Sequence, residues 1–198
     1  MENNKFTEDT NRFFGNVYTS YQTDFGTTNH KLNAKYMVGV DAYTTHYVDS
    51  YGYGSNTGGG RGQIENYGWT NATYNSLLTI NYDWHINEDW GLNAVVGNEI
   101  IQSNRKKYYE YGTNYNFPGW NHINNATTQQ TEEETWKNRT VGFFGNVSAS
   151  YRNMLYLTLT GRQDYVSNMP RKNRSFFYPS ISAGSVSYTH LTLPTNSL

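Results

Sequence analysis

The sequence predicts an all-β protein, an antiparallel up-and-down meander of about seven strands with the pattern of a transmembrane β-barrel. Polar and apolar residues alternate along several segments, aromatic rings stand beside short turns, and short connections alternate with long ones. Alternation with a period of two places one set of side chains on each side of a sheet. A membrane barrel has an apolar lipid face edged by rings, a polar lumen face, short periplasmic turns and long extracellular loops.

The rings beside the turns indicate which face is apolar. Trp84 precedes a short turn at residues 87–89, Trp90 follows that turn, and Tyr151 precedes the next short turn. Counting by twos from the rings and along the sixth segment predicts one apolar face, with Leu78, Ile80, Tyr82, Leu92, Ala94, Val96, Phe143, Val147, Ala149, Leu155, Leu157 and Leu159. The residues between them predict a polar face, with Thr79, Asn81, Asp83, Asn93, Asn146, Ser148, Thr158, Thr160 and Arg162.

The alternating segments and their connections follow a regular order. The predicted strands are residues 11–21, 31–45, 74–86, 90–102, 140–151, 155–165 and 176–183. Most are long enough for the ~9–11 residues that a tilted membrane strand needs. Short turns are predicted at 22–30, 87–89 and 152–154, and long loops at 46–73, 103–139 and 166–175. The only candidate for a helical turn is 131–136, inside a long loop.

Composition excludes several classes of protein. Hydrophobic residues make up 36% of the 198 residues, but aromatic residues make up 17%, which a disordered chain would lack. The net charge of −1 gives no electrostatic case for nucleic acid, and we interpret the basic runs 105–107 and 171–174 as solvated loop charge. The chain has no Cys, which excludes disulfides and thiolate chemistry. We predict no catalytic residues, no cofactor and no metal site, since none of the five His residues has a partner at metal-ligand spacing.

Three consecutive motifs resemble a known family of membrane proteins. Residues 139–151 read RTVGFFGNVSASY, residues 155–164 read LYLTLTGRQD, and residues 176–184 read FFYPSISAG. In this order they resemble the barrel of SusC/RagA-type TonB-dependent outer-membrane transporters. FGNVY at 14–18 and HKLNA at 30–34 are similar to strand starts of the same family. The resemblance covers about residues 10–184 and implies that the sheet is an open segment of a large transmembrane β-barrel.

The resemblance implies an organisation, a location and partners. Residues 11–184 would be an internal part of the barrel, without the plug and the TonB-contacting segment, in the outer membrane of a Gram-negative bacterium. Residues 1–10 are expected to be a partial strand or a disordered start. Residues 185–198 are expected to be a non-native tail, since they resemble translated sequencing adapter. The implied partners are outer-membrane lipid, a SusD-like surface lipoprotein, the TonB complex, and an oligosaccharide or peptide ligand.

The predicted long loops hold the best candidates for ligand binding. They carry aromatic residues among many Asn residues, and flat rings with amide groups suit stacking on sugars or gripping a peptide backbone. The candidates are Tyr67, Trp69, Tyr111, Tyr115 and Trp120. The alternative is that these rings pack the loops against one another.

The resemblance thus implies part of a transporter that imports oligosaccharides or peptides across the outer membrane, and two other functions are alternatives to it. One is a secreted β-sandwich that binds carbohydrate or acts as an adhesin. Such a domain hides its apolar face in a core and has no reason to edge it with rings at the turns. The other is a hydrolase that uses Asp83, Glu99 and Asp164, which is disfavoured because these carboxylates are scattered and lack a paired base. Dependence on detergent would separate a barrel segment from a sandwich.

Overall fold

The protein, in a computed structural model that describes residues 4–186, is one sheet of seven antiparallel strands in chain order. The strands are β1 (Asn4–Thr23), β2 (His30–Tyr51), β3 (Gln63–His85), β4 (Trp90–Tyr115), β5 (Ala126–Tyr151), β6 (Leu155–Val166) and β7 (Ser175–Ser185). Short 3-10 turns occur at Thr57–Gly60, Ile123–Asn125 and Arg171–Asn173. The predicted all-β meander is confirmed. Of the expected non-native tail, residues 187–198 lie outside the described residues, while Ser185 ends β7.

No helix among residues 4–186 is long and apolar enough to cross a membrane.

Several strands are longer than the sequence predicts. The connection between β2 and β3 is residues 52–62 rather than 46–73, and that between β4 and β5 is 116–125 rather than 103–139. Residues 131–136, the candidate for a helical turn, belong to β5 instead. Residues 4–10 belong to β1. The physical reason is that Thr and Tyr favour extended backbone even where both faces are polar, so pairing continues where hydrophobic alternation stops.

The strand register places the two predicted sets of side chains on opposite faces. Ala94 pairs with both Tyr82 and Val147, and Val147 pairs with Leu159, so the apolar set is continuous across the sheet. On the other face Asn93 lies between its hydrogen-bond acceptors: Nδ2 donates to Oδ1 of Asn81 at 2.8 Å and to Oδ1 of Asp83 at 2.6 Å. The predicted division into an apolar face and a polar face is confirmed.

The apolar face is a band of limited height. It runs along β4 from Trp90, paired with Tyr151, to Ile100, paired with Val141, a distance of ten residues. Ten residues span about 33 Å along a strand, and a tilt of about 40° reduces this to roughly 25 Å, the height of a barrel's lipid-facing band. The Trp90 and Tyr151 rings lie 4.8 Å apart between centroids at the turn end of the band. The apolar band is therefore tall enough to cross the hydrocarbon of a membrane.

Side chains of the band are exposed rather than packed in a core. Val17 is 73% exposed and Ile181 is 71% exposed. Among residues 4–186, the buried apolar side chains are Ile64, Tyr115 and Ala126. This cluster lies at the far end of the strands from the short turns, where Gly62 leaves the space that the Tyr115 ring fills. The sheet therefore leaves its largest apolar surface for a partner or for lipid.

Burial changes the chemistry of the Tyr115 hydroxyl. The side chain is completely buried, and its hydroxyl has no hydrogen-bond partner among the described residues. Desolvation raises the pKa of Tyr115 to about 12, from an ordinary value of 10.0. The ring therefore contributes packing, while its hydroxyl is an unpaired buried polar group.

In a complete barrel whose apolar band meets lipid, Leu159→Arg should lower the free energy of unfolding by about 2–4 kcal/mol, because a charge would face the middle of the bilayer. Leu159 is paired with Val147, four residues from the Tyr151 row, whereas Leu157 is only two residues from it. Leu157→Arg should therefore cost less. The matched control is Thr160→Arg, at nearly the same depth on the polar face. Equal unfolding free energies for Leu159→Arg and Thr160→Arg in lipid vesicles would contradict the assignment of faces.

Tyr115→Phe should leave the free energy of unfolding unchanged or raise it, because the hydroxyl lost is unpaired. Tyr115→Ala should lower it by about 3–5 kcal/mol, because a ring-sized cavity remains. Since folding raises the pKa of Tyr115, its contribution to the free energy of unfolding is complete below pH 10 and is lost as the pH rises toward 12. Denaturation of the detergent-solubilised protein measures the first two effects. The difference in phenolate absorbance between the wild type and Tyr115→Phe measures the pKa of Tyr115. If this phenol ionised at the same pH as the exposed tyrosines, its burial would be contradicted.

Candidate functional site

The predicted ligand-binding residues lie mostly on strands, not in loops. Tyr67 and Trp69 belong to β3, and Tyr111 and Tyr115 belong to β4. Only Trp120 lies in a connection, between β4 and β5. The prediction of a loop location is therefore wrong for four of the five, because the strands continue beyond the apolar band.

Three of the candidates share the polar face in this extended part of the sheet. Tyr67 pairs with Tyr47 on one side and Tyr109 on the other. Trp69 and Tyr111 stand at positions an even number of residues from Tyr67 and Tyr109, respectively, so they face the same way. The structure therefore brings Tyr67, Trp69 and Tyr111 onto one surface. This surface lies above the apolar band, that is, farther along the strands from the short turns.

Aromatic contacts run from strand to strand across this surface. The Tyr47 ring stacks on Tyr67 with centroids 5.0 Å apart and an interplanar angle of 11°. It also lies 5.7 Å from Trp69 and 6.1 Å from Phe6. We call five of the rings on this surface the aromatic row: Phe6, Tyr47, Tyr67, Trp69 and Trp136.

A single guanidinium group connects two rings of the aromatic row. The Cζ atom of Arg105 lies 5.5 Å from the centroid of Trp69 and 5.8 Å from that of Trp136. Cation–π contacts of this kind hold the guanidinium in place without using its hydrogen-bond donors. Arg105 is exposed, so these N–H groups are available to a carbonyl or carboxylate oxygen of a ligand.

Carboxylates and phenols supply further polar groups beside the aromatic row. The Tyr47 hydroxyl donates to Oε1 of Glu8 at 3.1 Å. Desolvation, followed by this hydrogen bond, raises the pKa of Tyr47. Desolvation, followed by the charge of Glu65, raises the pKa of Tyr109. Both phenols therefore stay protonated at neutral pH, and the surface offers flat rings, hydroxyl donors and carboxylate acceptors together.

The loop-packing alternative fits the two remaining candidates. Tyr115 is buried against Ile64 and Ala126 and is not accessible to a ligand. The Trp120 ring stacks on His122 at 5.0 Å and lies 5.9 Å from Phe117.

That loop is held by a buried amide. Nδ2 of Asn125 donates to the carbonyl oxygens of Phe117 and Trp120, both at 2.8 Å. Trp120 is nevertheless 44% exposed, so one side of its ring can meet a ligand.

The sequence pattern does not identify Phe6, Tyr47 or Trp136 as members of this surface. It also assigns Arg105 to solvated loop charge, whereas the structure places it between two rings. The period-two spacing of Tyr67 and Trp69 within a Thr- and Asn-rich stretch would have indicated a strand. That spacing would have assigned the rings to one face, although it does not show which residues of neighbouring strands meet them.

The carboxylates that the hydrolase hypothesis uses lie on the polar face, closer to the short turns than the aromatic row is. Arg162 Nη2 donates to Glu99 Oε2, and Arg162 Nε donates to Asp164 Oδ1, each at 2.8 Å. Asp83 accepts hydrogen bonds from Asn81 and Asn93 instead. Within residues 4–186, no group of three or more His, Cys, Asp or Glu residues is placed to hold a metal ion. Glu99 and Asp164 thus share Arg162 in an ion-pair network, separate from Asp83.

Comparisons with known proteins concern the fold. No protein-family model and no curated protein matches this sequence. Solved structures that match include the RagAB peptide transporter, with 17% sequence identity and a TM-score of 0.79. The RagAB peptide importer matches at 17% identity in its "closed-closed" state, with a TM-score of 0.78, and in its "open-open" state, with a TM-score of 0.73.

In each comparison the match covers 92% of this chain and 20% of the other. The chain thus spans about a fifth of the length of the chains it matches. The predicted resemblance to the SusC/RagA type is confirmed for the fold. This sheet has the architecture of one part of a RagA transporter barrel.

Proposed function

We propose that this chain forms a wall segment of an outer-membrane barrel that imports peptides. The observation that carries the proposal is the sheet itself: an apolar band of membrane height on one face, and an aromatic row on the other face above it. In a closed barrel the first face meets lipid and the second lines the entrance to the lumen. A ligand entering from outside would meet the aromatic row before it reached the ion pairs of Arg162.

The chemistry of the aromatic row supports a peptide ligand. Arg105 offers donors to backbone carbonyl or terminal carboxylate oxygens, and Glu65 and Glu8 offer acceptors to amide or ammonium groups. The matched structures are described as a peptide transporter and a peptide importer. Oligosaccharides are the second candidate, because the stacked rings of Tyr47 and Tyr67 also present a flat surface of the kind on which sugar rings stack.

Two further elements of the proposal come from the resemblance. A SusD-like lipoprotein would cover the extracellular opening and help to capture the ligand. The TonB complex would supply energy through parts of the transporter outside the matched region.

The exposed apolar band also favours a barrel over a secreted β-sandwich. A sandwich covers its apolar face with a second sheet. In the described part of the chain there is one sheet, and its apolar residues, such as Val17 and Ile181, stay exposed. An exposed surface of this size requires lipid, a partner or neighbouring barrel strands.

The chain produced alone should be insoluble without detergent, because β1 and β7 have unpaired edges and the apolar band meets water. Light scattering after removal of detergent measures this. A control variant with Lys replacing Val17, Leu159 and Ile181 should be more soluble, since these side chains lie on the exposed apolar face. A soluble, monodisperse monomer that unfolds cooperatively would instead support the sandwich hypothesis.

Trp69→Ala and Arg105→Ala should each weaken peptide binding by the complete transporter. Arg105→Ala removes charged donors to the ligand, and a hydrogen bond to a charged group is worth about 1.5–3 kcal/mol, which corresponds to roughly a ten- to 150-fold change in affinity. Trp69→Ala removes a ring that holds the guanidinium in place, so its effect should be smaller. Calorimetry with peptides selected from a defined library measures the affinity, with oligosaccharides tested in parallel. The matched control is Lys106→Ala. Lys106 is the next residue in the chain after Arg105, and its side chain lies on the opposite face of the sheet. Equal losses for Arg105→Ala and Lys106→Ala, or no loss for either aromatic-row variant, would contradict the proposal.

A further inference from the structure

Basic side chains stand on the apolar side of the sheet, directly above the end of the apolar band. Above the pair of Ile100 and Val141, the next rows on this face contain Arg139, then Lys137, then Lys106. All three side chains are exposed. They lie on the opposite face from Arg105 and the aromatic row.

The connection between β6 and β7 adds further cations at the same level. β6 ends at Val166, which pairs with Thr140, one residue from Arg139. The backbone N–H of Ser167 donates to the carbonyl of Arg139 at 2.8 Å, and the backbone N–H of Arg139 donates to Oγ of Ser167 at 2.7 Å. The connection returns at Arg174, whose carbonyl accepts from the N–H of Val166 at 2.8 Å. We call this set the basic belt: Lys106, Lys137, Arg139, Arg171, Lys172 and Arg174.

Few acidic groups balance this charge. Lys106 pairs with Glu133 at 2.9 Å, and the Arg139 side chain donates to the neutral amide oxygen of Gln102. Among the ion pairs within residues 4–186, Lys106 is the only belt residue that takes part. On β4 and β5 the acidic residues of this face, Glu133 and Glu110, stand above Lys106, farther from the apolar band. On β4 and β5, the positive side chains of this face therefore lie closer to the apolar band than the negative ones do.

This position matches the depth of lipid headgroups. If the band meets acyl chains, the first polar row above it meets the phosphates of the outer leaflet. A guanidinium pairs with phosphate through two parallel hydrogen bonds, and a lysine ammonium pairs with it as a point charge. We propose that the basic belt binds the phosphate groups of an anionic lipid in the outer leaflet. The inference rests on the membrane placement in the proposed function, but not on the peptide ligand.

The test uses the complete barrel, purified in neutral detergent and titrated with lipid A, phosphatidylglycerol or phosphatidylcholine. Native mass spectrometry measures the bound lipid. The wild type should bind lipid A and phosphatidylglycerol in preference to phosphatidylcholine. The double variant Lys137→Gln/Arg139→Gln should lose roughly thirtyfold in affinity for the anionic lipids, since each cation near a lipid surface contributes about fivefold.

The matched control is Arg105→Gln/Lys107→Gln, which removes the same charge from the opposite face and should leave lipid binding unchanged. Arg139→Lys/Lys137→Arg keeps both charges and should retain binding, which separates charge from folding defects. Equal loss in the belt variant and the control would overturn the proposal. So would displacement of lipid A by inorganic phosphate alone, because that result would indicate a general anion site.

Peptide binding distinguishes failure of this inference from failure of the proposed function. The belt variant should keep its peptide affinity. Wild-type protein that binds lipid A selectively but binds no peptide would contradict peptide import and leave the basic belt supported. Protein that binds peptide but shows no preference among the three lipids would overturn lipid binding by the basic belt and leave peptide import supported. Protein that is soluble and binds neither would contradict the membrane placement itself.

Discussion

The continuous backbone hydrogen-bond ladder is the constraint on which the rest of this structure depends. The side chains provide little internal packing, since the buried apolar cluster comprises Ile64, Tyr115 and Ala126 at one end of the sheet. Lipid offers no partners for backbone N–H and C=O groups, so a membrane sheet must pair every strand. β1 and β7 each pair on one side only among the described strands. Within the described residues the ladder is therefore open at both edges.

The ladder also carries each strand through several environments without a change of conformation. β4 begins at Trp90, beside Tyr151 at the turn end of the apolar band. It crosses the band to Ile100 and continues to Tyr115. Register fixes which side chains share a face, so adjacent residues such as Arg105 and Lys106 acquire separate surroundings. One contacts tryptophan rings on the polar face, while the other lies in the basic belt. Position along the ladder sets the environment, and residue parity sets the face.

The sequence predicts the fold best where the two faces differ in polarity. The sixth strand, predicted at 155–165, is Leu155–Val166 in the structure, because leucines alternate there with threonines. The third strand, predicted to begin at 74, begins at Gln63, because between 63 and 73 both faces are largely polar. Because the two faces differ little in polarity here, periodicity does not reveal the aromatic row either. Stacking of Tyr47 on Tyr67 depends on pairing between strands, which single-sequence periodicity does not specify.

Glycines explain how large side chains fit on the polar face without a second layer. A Cβ atom at Gly142 would lie 2.6 Å from Asp164 Oδ1 and 2.7 Å from Arg162 Nη2, so the glycine leaves the space that this ion pair occupies. A Cβ at Gly97 would overlap the ring of Phe144, which pairs with it across β4 and β5.

These side chains therefore lean sideways over neighbouring strands instead of projecting outward. A wall built in this way stays thin, and it leaves the space in front of the polar face open. A pathway through a barrel requires that space, whereas a sandwich core would have to fill it.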